Sequence, residues 1–285
     1  MNGRVTFVKG QGGLPMLRIE TPSSTAEIYL HGAHVTHFQR KNESPLLWLS
    51  RESKFETGKA IRGGIPVILP WFGPRENAPA HGCARIKEGE LVEISTANGG
   101  ISVHMRLAHC AEMESFGAFT ADHVVTVGDA LELELTVANP STDRELAIED
   151  CLHTYFAIGD ISEVAVAGLK GAKYLDKVGG SVEKTETNDV ITFNSEVDRV
   201  YMDTTSPVEI LDRKLRRKIR VEKEGSSATV VWNPWIAKAK AMPDFGDEEY
   251  HEMVCVESGN VGKNHLTLAP GKSSTMRVKL STNSV

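Results

Sequence analysis

The sequence of 285 residues contains no apolar run long enough to span a bilayer. Its first residues, MNGRVTFVKGQGG, also lack the apolar core of a signal peptide. Cysteine is scarce and no two cysteines form a CxxC pair, which is typical of reduced thiols in a cytosolic compartment; the four are Cys83, Cys110, Cys151 and Cys255. These absences predict a cytoplasmic protein with no membrane partner.

Positive charge is not in excess. Lysine and arginine total 32 against 38 aspartate and glutamate residues, and the net charge of −6 disfavours a nucleic-acid partner, which usually requires a basic face. The one dense basic run, DRKLRRKIRVEK, covers residues 212–223. We interpret it as a solvated strand or hairpin face rather than as a nucleic-acid surface.

Long helical periodicity is nearly absent, and short alternating segments take its place. In LELELTVAN (131–139) the leucines point to one side and the glutamates to the other. Such segments recur with turn signals between them, which predicts an all-β fold built as a large antiparallel sandwich or barrel. The best helix candidate is the short stretch NPWIAKAKAM, with Asn233 as N-cap. No repeat or linker divides the chain, so we predict a single domain over residues 1–285.

Two segments in the first third of the chain carry cations beside glycine and proline. In GKAIRGGIPVILPWFGP (58–74), Lys59 and Arg62 are suited to an anionic ligand, and the paired glycines permit close backbone approach. In HGCAR, His81 and Arg85 are four residues apart around a glycine. Each segment by itself is equally consistent with a loop that an arginine or a His–Gly turn holds in place.

Two later segments place a proton-transfer group in apolar company. In EDCLHTYF (149–156), read as a strand, His153 shares a face with Cys151 and Tyr155. In MVCVESGNV (253–261), Glu257 shares a face with Cys255 at the end of an apolar run. From the residues alone, a satisfied core histidine and a strand that surfaces at a solvated Glu257 remain open alternatives.

The HGAHVTH stretch is a further cluster of potential metal ligands, whereas HEMVC (251–255) falls short of the HExxH zinc pattern. Only His31 and His37 share a strand face, His34 points the other way, and no carboxylate or thiolate nearby completes a ligand set. We therefore predict no metal.

Taken in order, these segments resemble the D-hexose-6-phosphate mutarotases (glucose-6-phosphate 1-epimerases) of the aldose 1-epimerase superfamily. The matching stretches extend from about residue 58 to 262 and are IRGGIPVILPWFGP, HGCAR, LHTYFAIGD, VDRVY, VWNPW with MPDFGDEEY, and VCVESGNV. The resemblance implies a galactose mutarotase-like supersandwich of large twisted antiparallel sheets, without cofactor and usually monomeric. It implies a small phosphosugar as the binding partner.

The resemblance also implies roles for individual residues. Glu257 would be the general base and His153 the general acid. The substrate-binding residues would be Arg62 and Arg85 at the phosphate, with Lys59 at the rim, His81 near the ring oxygen, and Asp198 of VDRVY. Two positions depart from the family pattern, because Ala80 stands where some relatives have glutamine and Cys83 where an aromatic residue is common.

The reaction explains the need for these residue types. A pyranose exchanges its anomers by ring opening, in which the anomeric hydroxyl loses a proton and the ring oxygen gains one. A carboxylate base and an imidazole acid on opposite sides of the sugar would perform both transfers without redox cofactor or metal. Two alternatives remain open: an aldose 1-epimerase for unphosphorylated sugars, and a non-catalytic carbohydrate-binding sandwich.

Overall fold

The computed structural model describes residues 3–97 and 99–284 of the chain. These residues form one α-helix, α1 (Trp235–Ala241), and 23 strands: β1 Arg4–Lys9, β2 Pro15–Glu20, β3 Ser24–Tyr29, β4 His34–Arg40, β5 Val67–Ile68, β6 Glu90–Ala97, β7 Gly100–Arg106, β8 Thr120–Val127, β9 Leu131–Ala138, β10 Leu146–Ile148, β11 Asp150–Leu152, β12 Tyr155–Ala157, β13 Val164–Ala167, β14 Lys173–Asp176, β15 Val182–Thr185, β16 Val190–Thr192, β17 Val197–Met202, β18 Val208–Asp212, β19 Arg217–Glu224, β20 Ala228–Asn233, β21 Met253–Asn260, β22 Leu266–Leu268 and β23 Ser273–Ser284. Short 3₁₀ helices lie at Gln11–Gly13, Ala84–Ile86, Ala111–Phe116, Ile161–Glu163, Glu249–Glu252 and Gly262–Asn264. The all-β prediction is confirmed.

Two large antiparallel sheets dominate the structure. One has nine strands in the order β16-β13-β18-β19-β23-β9-β8-β7-β6, and the other runs β15-β14-β17-β20-β21-β11-β5, with β12 also paired to β21. Strands β1 to β4 form a third sheet, and β10 pairs with β22. Residues of both large sheets, among them Leu133 of β9 and Val231 of β20, belong to one buried apolar cluster.

Side-chain alternation explains why these segments form strands with one core face. The four apolar residues of β9 at positions 131, 133, 135 and 137 are fully buried, whereas the residues between them are half-buried. On β20, Val231 belongs to the main core, while Val230 packs with Ile68, Cys151 and Val200 in a smaller cluster. Sheet β15 to β5 is therefore apolar on both faces near its centre, which makes any charged group there costly.

Helix α1 forms where the sequence predicts it, with Pro234 as its N-cap residue instead of Asn233. The prediction of a solvated face for the basic run is wrong for Asp212, Arg217 and Lys223, which are buried. Helix α1 follows Asn233, whose side-chain Oδ1 accepts a hydrogen bond from the Trp235 backbone N–H at 2.9 Å. The basic run contributes to a hairpin of β18 and β19, in which Asp212 pairs with Arg217. No helix in the described part of the chain is long and apolar enough to cross a bilayer.

The expectation of four reduced thiols is wrong for two cysteines. Cys83 and Cys110 form a disulfide, whereas Cys151 and Cys255 are free and buried. The two bonded cysteines are 27 residues apart, so no short motif marks the pair, and only the fold brings their Cα atoms to 6.6 Å. The cytosolic assignment loses the support that it drew from reduced thiols.

Leu133→Ala should lower the free energy of unfolding by about 2–5 kcal/mol, because it leaves a cavity at a fully buried position. The matched control is Glu134→Ala, the next residue on the same strand, whose ion pair with Arg277 is exposed and should change stability by less than about 1 kcal/mol. Chemical denaturation measures both values. Equal losses in the two variants would contradict the assignment of faces in β9.

Candidate active site

The pairing register of four strands gathers polar side chains on one face of the sheet β15 to β5. Asp198 of β17 pairs with Trp232 of β20, Trp232 pairs with Cys255 of β21, and Cys255 pairs with Tyr155 of β12. Glu257 lies two residues beyond Cys255 and therefore on the same face, opposite Val230. The alternation read from MVCVESGNV thus holds. The alternative of a solvated Glu257 does not, because its exposed fraction is only 1%.

His153 lies at a break between two short strands. Leu152 pairs with Ser258 and Tyr155 pairs with Cys255, so the register is the same before and after the break. That register places His153 directly across from Glu257. The His153 backbone N–H donates to Pro66 O at 3.0 Å, which joins the break to the neighbouring segment.

The His153 and Glu257 side chains contact each other directly. The distance from His153 Nε2 to Glu257 Oε1 is 3.2 Å, and Oε2 of Glu257 accepts a hydrogen bond from Cys151 Sγ at 3.4 Å. Burial raises the pKa of the Glu257 carboxyl well above its ordinary value. Burial, together with nearby positive groups, lowers the pKa of His153. Both shifts favour a protonated Glu257 carboxyl beside a neutral His153 imidazole.

His81 is held in one orientation and one tautomer. Its φ of 62° lies in the left-handed region, which is uncommon for a residue other than glycine and often marks a functional site. The backbone N–H of Gly73 donates to His81 Nδ1 at 3.3 Å, which leaves the ring proton on Nε2. Burial and the nearby Arg85 lower the pKa of His81 to about 3. His81 is therefore a neutral hydrogen-bond donor, and its ring centre lies 5.5 Å from that of His153.

Glycine is required where the HGCAR segment passes the strand that follows Arg62. A Cβ on Gly82, whose φ is +73°, would overlap Leu69 O. The same holds for Gly64 against Val35 O, so the close backbone approach predicted for the paired glycines is confirmed.

Arg62 reaches the site but is already paired. Its Nε and Nη2 each donate to the carboxylate of Asp244 at 3.2 Å, and its Nη1 donates to the Tyr155 hydroxyl at 3.0 Å. The bidentate arrangement fixes the guanidinium plane. Much of the Arg62 charge is neutralised before any ligand arrives.

Asp244 offsets the charge of Arg62, whereas Arg85 and Lys177 carry positive charge that no such pairing among the described residues offsets. Arg85 Nη2 donates to Ala80 O at 2.7 Å, and burial, with Arg62 nearby, lowers the pKa of Arg85 to about 10. Because Ala80 contributes a backbone carbonyl, its side chain is immaterial to this contact. Lys177 Nζ lies 4.7 Å from the ring centre of Phe72. Neither cation has an ion pair with a described carboxylate.

These side chains surround one cavity of about 330 Å³. Its lining includes all the predicted site residues except Lys59 and also Tyr155, Lys177, Trp232 and Lys238. Asp198 lies at the cavity, 3.4 Å from Lys238 Nζ. The volume is at the lower end of the range for small-ligand sites, about 300–1,000 Å³.

Lys59 and the three histidines of HGAHVTH lie elsewhere. Lys59 is exposed, and its backbone carbonyl forms a 2.7 Å hydrogen bond with His31 Nε2. His34 Nε2 makes a similar 2.7 Å bond with Gly63 O, and His37 lies 3.4 Å from Thr25 Oγ1. Each histidine therefore has its own protein partner.

Sequence reasoning missed Lys177, Lys238 and the partner of Arg62, Asp244. Lys177 stands in the middle of YLDKVGG, where a lysine before a glycine turn carries no chemical signal. Asp244 lies in MPDFG, a stretch that the resemblance matched without giving the residue a role. Only the packing of β14, β17, α1 and the segment after α1 around the same cavity reveals these residues.

Solved structures establish the class of this fold. A galactose mutarotase-like protein from Clostridium acetobutylicum superposes with a TM-score of 0.77 over 100% of this chain and 99% of its own, at 15% identity. A structure from Salmonella typhimurium, provisionally described as a mutarotase, gives a TM-score of 0.91 at 30% identity over 99% of this chain and 94% of its own. The fold is thus the galactose mutarotase-like β-sandwich.

The sequence comparisons define the family. The family model for aldose 1-epimerase matches residues 15–281, and the chain belongs to that family. It is 41% identical over 266 residues to a protein from Cenchrus ciliaris provisionally named glucose-6-phosphate 1-epimerase, covering 90% of this chain and 80% of the relative. An Escherichia coli protein of the same provisional name is 35% identical, with 86% and 83% covered. The chain is a carbohydrate epimerase.

Glu257→Gln should change how stability depends on pH. The folded state raises the pKa of this carboxyl, so its contribution to stability is complete below the unfolded pKa of about 4.3 and declines as pH rises through the folded pKa. Glutamine has no carboxyl group to ionise, so the variant does not lose stability in this way as the pH rises. The stability of the variant relative to wild type should therefore increase between about pH 5 and about pH 8.

Chemical denaturation of both proteins at the two pH values gives the relative stability. The matched control is Glu90→Gln, which alters an exposed glutamate outside the cavity and should show no such trend. A difference between wild type and Glu257→Gln that stays constant with pH would show that the folded protein does not raise this pKa.

Proposed function

We propose that this epimerase interconverts the α and β anomers of a hexose 6-phosphate, with Glu257 as base and His153 as acid. The observation that carries the proposal is the 3.2 Å contact between the two side chains in a cavity that also contains Arg85 and Lys177. The provisional names of the relatives from Cenchrus ciliaris and Escherichia coli support the same substrate class.

The closeness of the two groups suits the chemistry. The anomeric oxygen and the ring oxygen are bonded to the same carbon, so an acid and a base that serve both must converge on one point. A placement on opposite sides of the sugar, as the sequence analysis supposed, is therefore unnecessary. A carboxylic acid beside a neutral imidazole holds as many protons as a carboxylate beside an imidazolium. The reactive state needs only a proton shift across the 3.2 Å contact.

Ring opening then proceeds in one balanced step. The Glu257 carboxylate removes the proton of the anomeric hydroxyl, the C1–O5 bond breaks as the aldehyde forms, and the His153 imidazolium protonates the ring oxygen. Rotation about the C1–C2 bond presents the other aldehyde face. Closure reverses both proton transfers and restores the starting pair. His81 Nε2–H supplies a fixed donor for a sugar oxygen, which orients the substrate.

Two cations that have no carboxylate partner among the described residues support a preference for a phosphorylated sugar. A neutral sugar would leave Arg85 and Lys177 without a counter-charge in a largely buried cavity. Arg62, which Asp244 already neutralises, contributes less to an anion and more to positioning Tyr155. Lys59 is exposed and outside the cavity, and the proposal does not use it.

Glu257→Gln should lower the rate of anomer exchange on glucose 6-phosphate by about 10²–10⁴-fold, because the amide keeps the shape of the carboxylate and removes the base. Exchange NMR measures the rate directly. His153→Asn should reduce turnover to a similar extent while substrate binding persists, since binding rests on other groups. Exchange near the wild-type rate in both variants would instead indicate a different catalytic pair.

Arg85→Met and Lys177→Met should each reduce kcat/KM for glucose 6-phosphate by about 10–100-fold, since a hydrogen bond to a charged group contributes about 1.5–3 kcal/mol. Activity on glucose should change little. Lys59→Met is the matched control, because it removes a lysine outside the cavity. Equal loss on both sugars would favour an epimerase for unphosphorylated substrates, and a selective loss in Lys59→Met would restore that residue to the phosphate site.

A further inference from the structure

A third side chain with metal-binding chemistry lies beside the proton-transfer pair. Ligand atoms of His153, Cys255 and Glu257 all lie within 4.8 Å of one another, and all three residues are buried. Cys255 is a free thiol and has no part in the proton transfers proposed above. Its presence at this point needs a separate account.

Backbone geometry fixes the cluster. Cys255 and Glu257 are alternate residues of β21 and share a face, while His153 lies across from Glu257 in the register of β11 and β12. Three donor atoms therefore converge from two adjacent strands. Donors on paired strands are better positioned for a metal ion than donors on loops.

The donor set suits zinc. Thiolate, imidazole and carboxylate are the side chains that bind this ion, and three protein ligands with one open position are typical of catalytic zinc sites. Bond lengths of about 2.0–2.3 Å in a tetrahedral arrangement separate neighbouring donors by about 3.3–3.6 Å. The His153–Glu257 distance of 3.2 Å is close to this separation, and Cys255 Sγ lies within 4.8 Å of both ligand atoms.

The charges of the ligands favour zinc binding, whereas the cations around the cavity oppose it. A thiolate and a carboxylate together match the double charge of the ion. Arg85 and Lys177 oppose a cation in the cavity, and burial with Glu257 nearby raises the pKa of the Cys255 thiol. Binding must therefore displace the thiol and carboxyl protons to solvent, so affinity rises with pH.

We propose that His153, Cys255 and Glu257 bind zinc(II) and that the bound ion inhibits the enzyme. Zinc would occupy the lone pairs of Glu257 and His153 that transfer protons, and its fourth position would face the cavity where the sugar binds. Inhibition would then be competitive with substrate. Magnesium, which prefers oxygen ligands, should not replace zinc here. The inhibitory part rests on the proposed function, whereas the binding part does not.

Cobalt(II) provides a test of binding that is independent of activity. Added to protein that has been dialysed against EDTA, it should show the absorption of thiolate-to-cobalt charge transfer, and zinc should displace it. Cys255→Ser should lose this absorption and bind zinc about tenfold more weakly or worse, because one direct ligand is weakened. Cys151→Ser is the matched control, since Cys151 is the other free cysteine, is not one of the three ligands, and a serine hydroxyl can keep its hydrogen bond to Glu257 Oε2. Cys255→Ala serves if the serine variant fails to fold.

Activity measurements separate the two proposals. Zinc should inhibit anomer exchange in wild type and in Cys151→Ser, and much less in Cys255→Ser, while magnesium has no effect. If the charge-transfer absorption is absent, or zinc affinity is equal in Cys255→Ser, the metal site is wrong. If zinc binds through Cys255 and exchange continues unchanged, inhibition is wrong, whereas the roles of His153 and Glu257 are decided separately by the exchange rates of His153→Asn and Glu257→Gln without zinc.

Discussion

A carboxyl group in the middle of a buried strand must either hold its proton or find positive charge, and Glu257 has access to both. Every residue of β21 is buried, so water does not stabilise the charged form of this side chain. His153 lies 3.2 Å away and can accept the proton, and Arg85 and Lys177 line the same cavity. The composition of the cavity follows from this single buried carboxyl.

The same constraint accounts for the ion pairs at the cavity edge. Arg62 with Asp244, and Lys238 with Asp198, remove charge that would otherwise accumulate around the site. What remains is a modest positive excess next to a proton-sharing pair. Burial, together with that excess, lowers the pKa of His153 and His81, and an anionic ligand would offset the excess. An anionic substrate would therefore favour protonation of His153 at the moment when an acid is needed.

The sequence predicts the fold and the shared face of Cys255 and Glu257 because both follow from alternation, whereas the roles of Glu257 and His153 come from the family resemblance. The pattern of β9 predicts its core face, and alternation in MVCVESGNV predicts that Cys255 and Glu257 share a side. The break at His153 was not predictable, since hydrogen bonds to a third segment cause it. Lys177 and the Cys83–Cys110 bond depend on contacts between distant parts of the chain, which carry no local signal. The sequence also left open a solvent-exposed Glu257. The structure buries this residue, and residue type alone does not determine how deeply a side chain is buried.

Burial changes the proton affinities of the Glu257–His153 pair. The proposed reaction has no net proton change, and Glu257 and His153 would each release in one direction the proton that they accept in the other. An ordinary glutamate is a weaker base than histidine, so a solvated pair would hold its proton on the imidazole. Desolvation raises the pKa of Glu257 and lowers that of His153, which opposes this preference and favours a carboxylic acid beside a neutral imidazole. In the proposed reaction, the proton that ring opening moves from His153 to Glu257 would return when the ring closes. The apolar surroundings of the strand therefore influence where the proton of this pair resides.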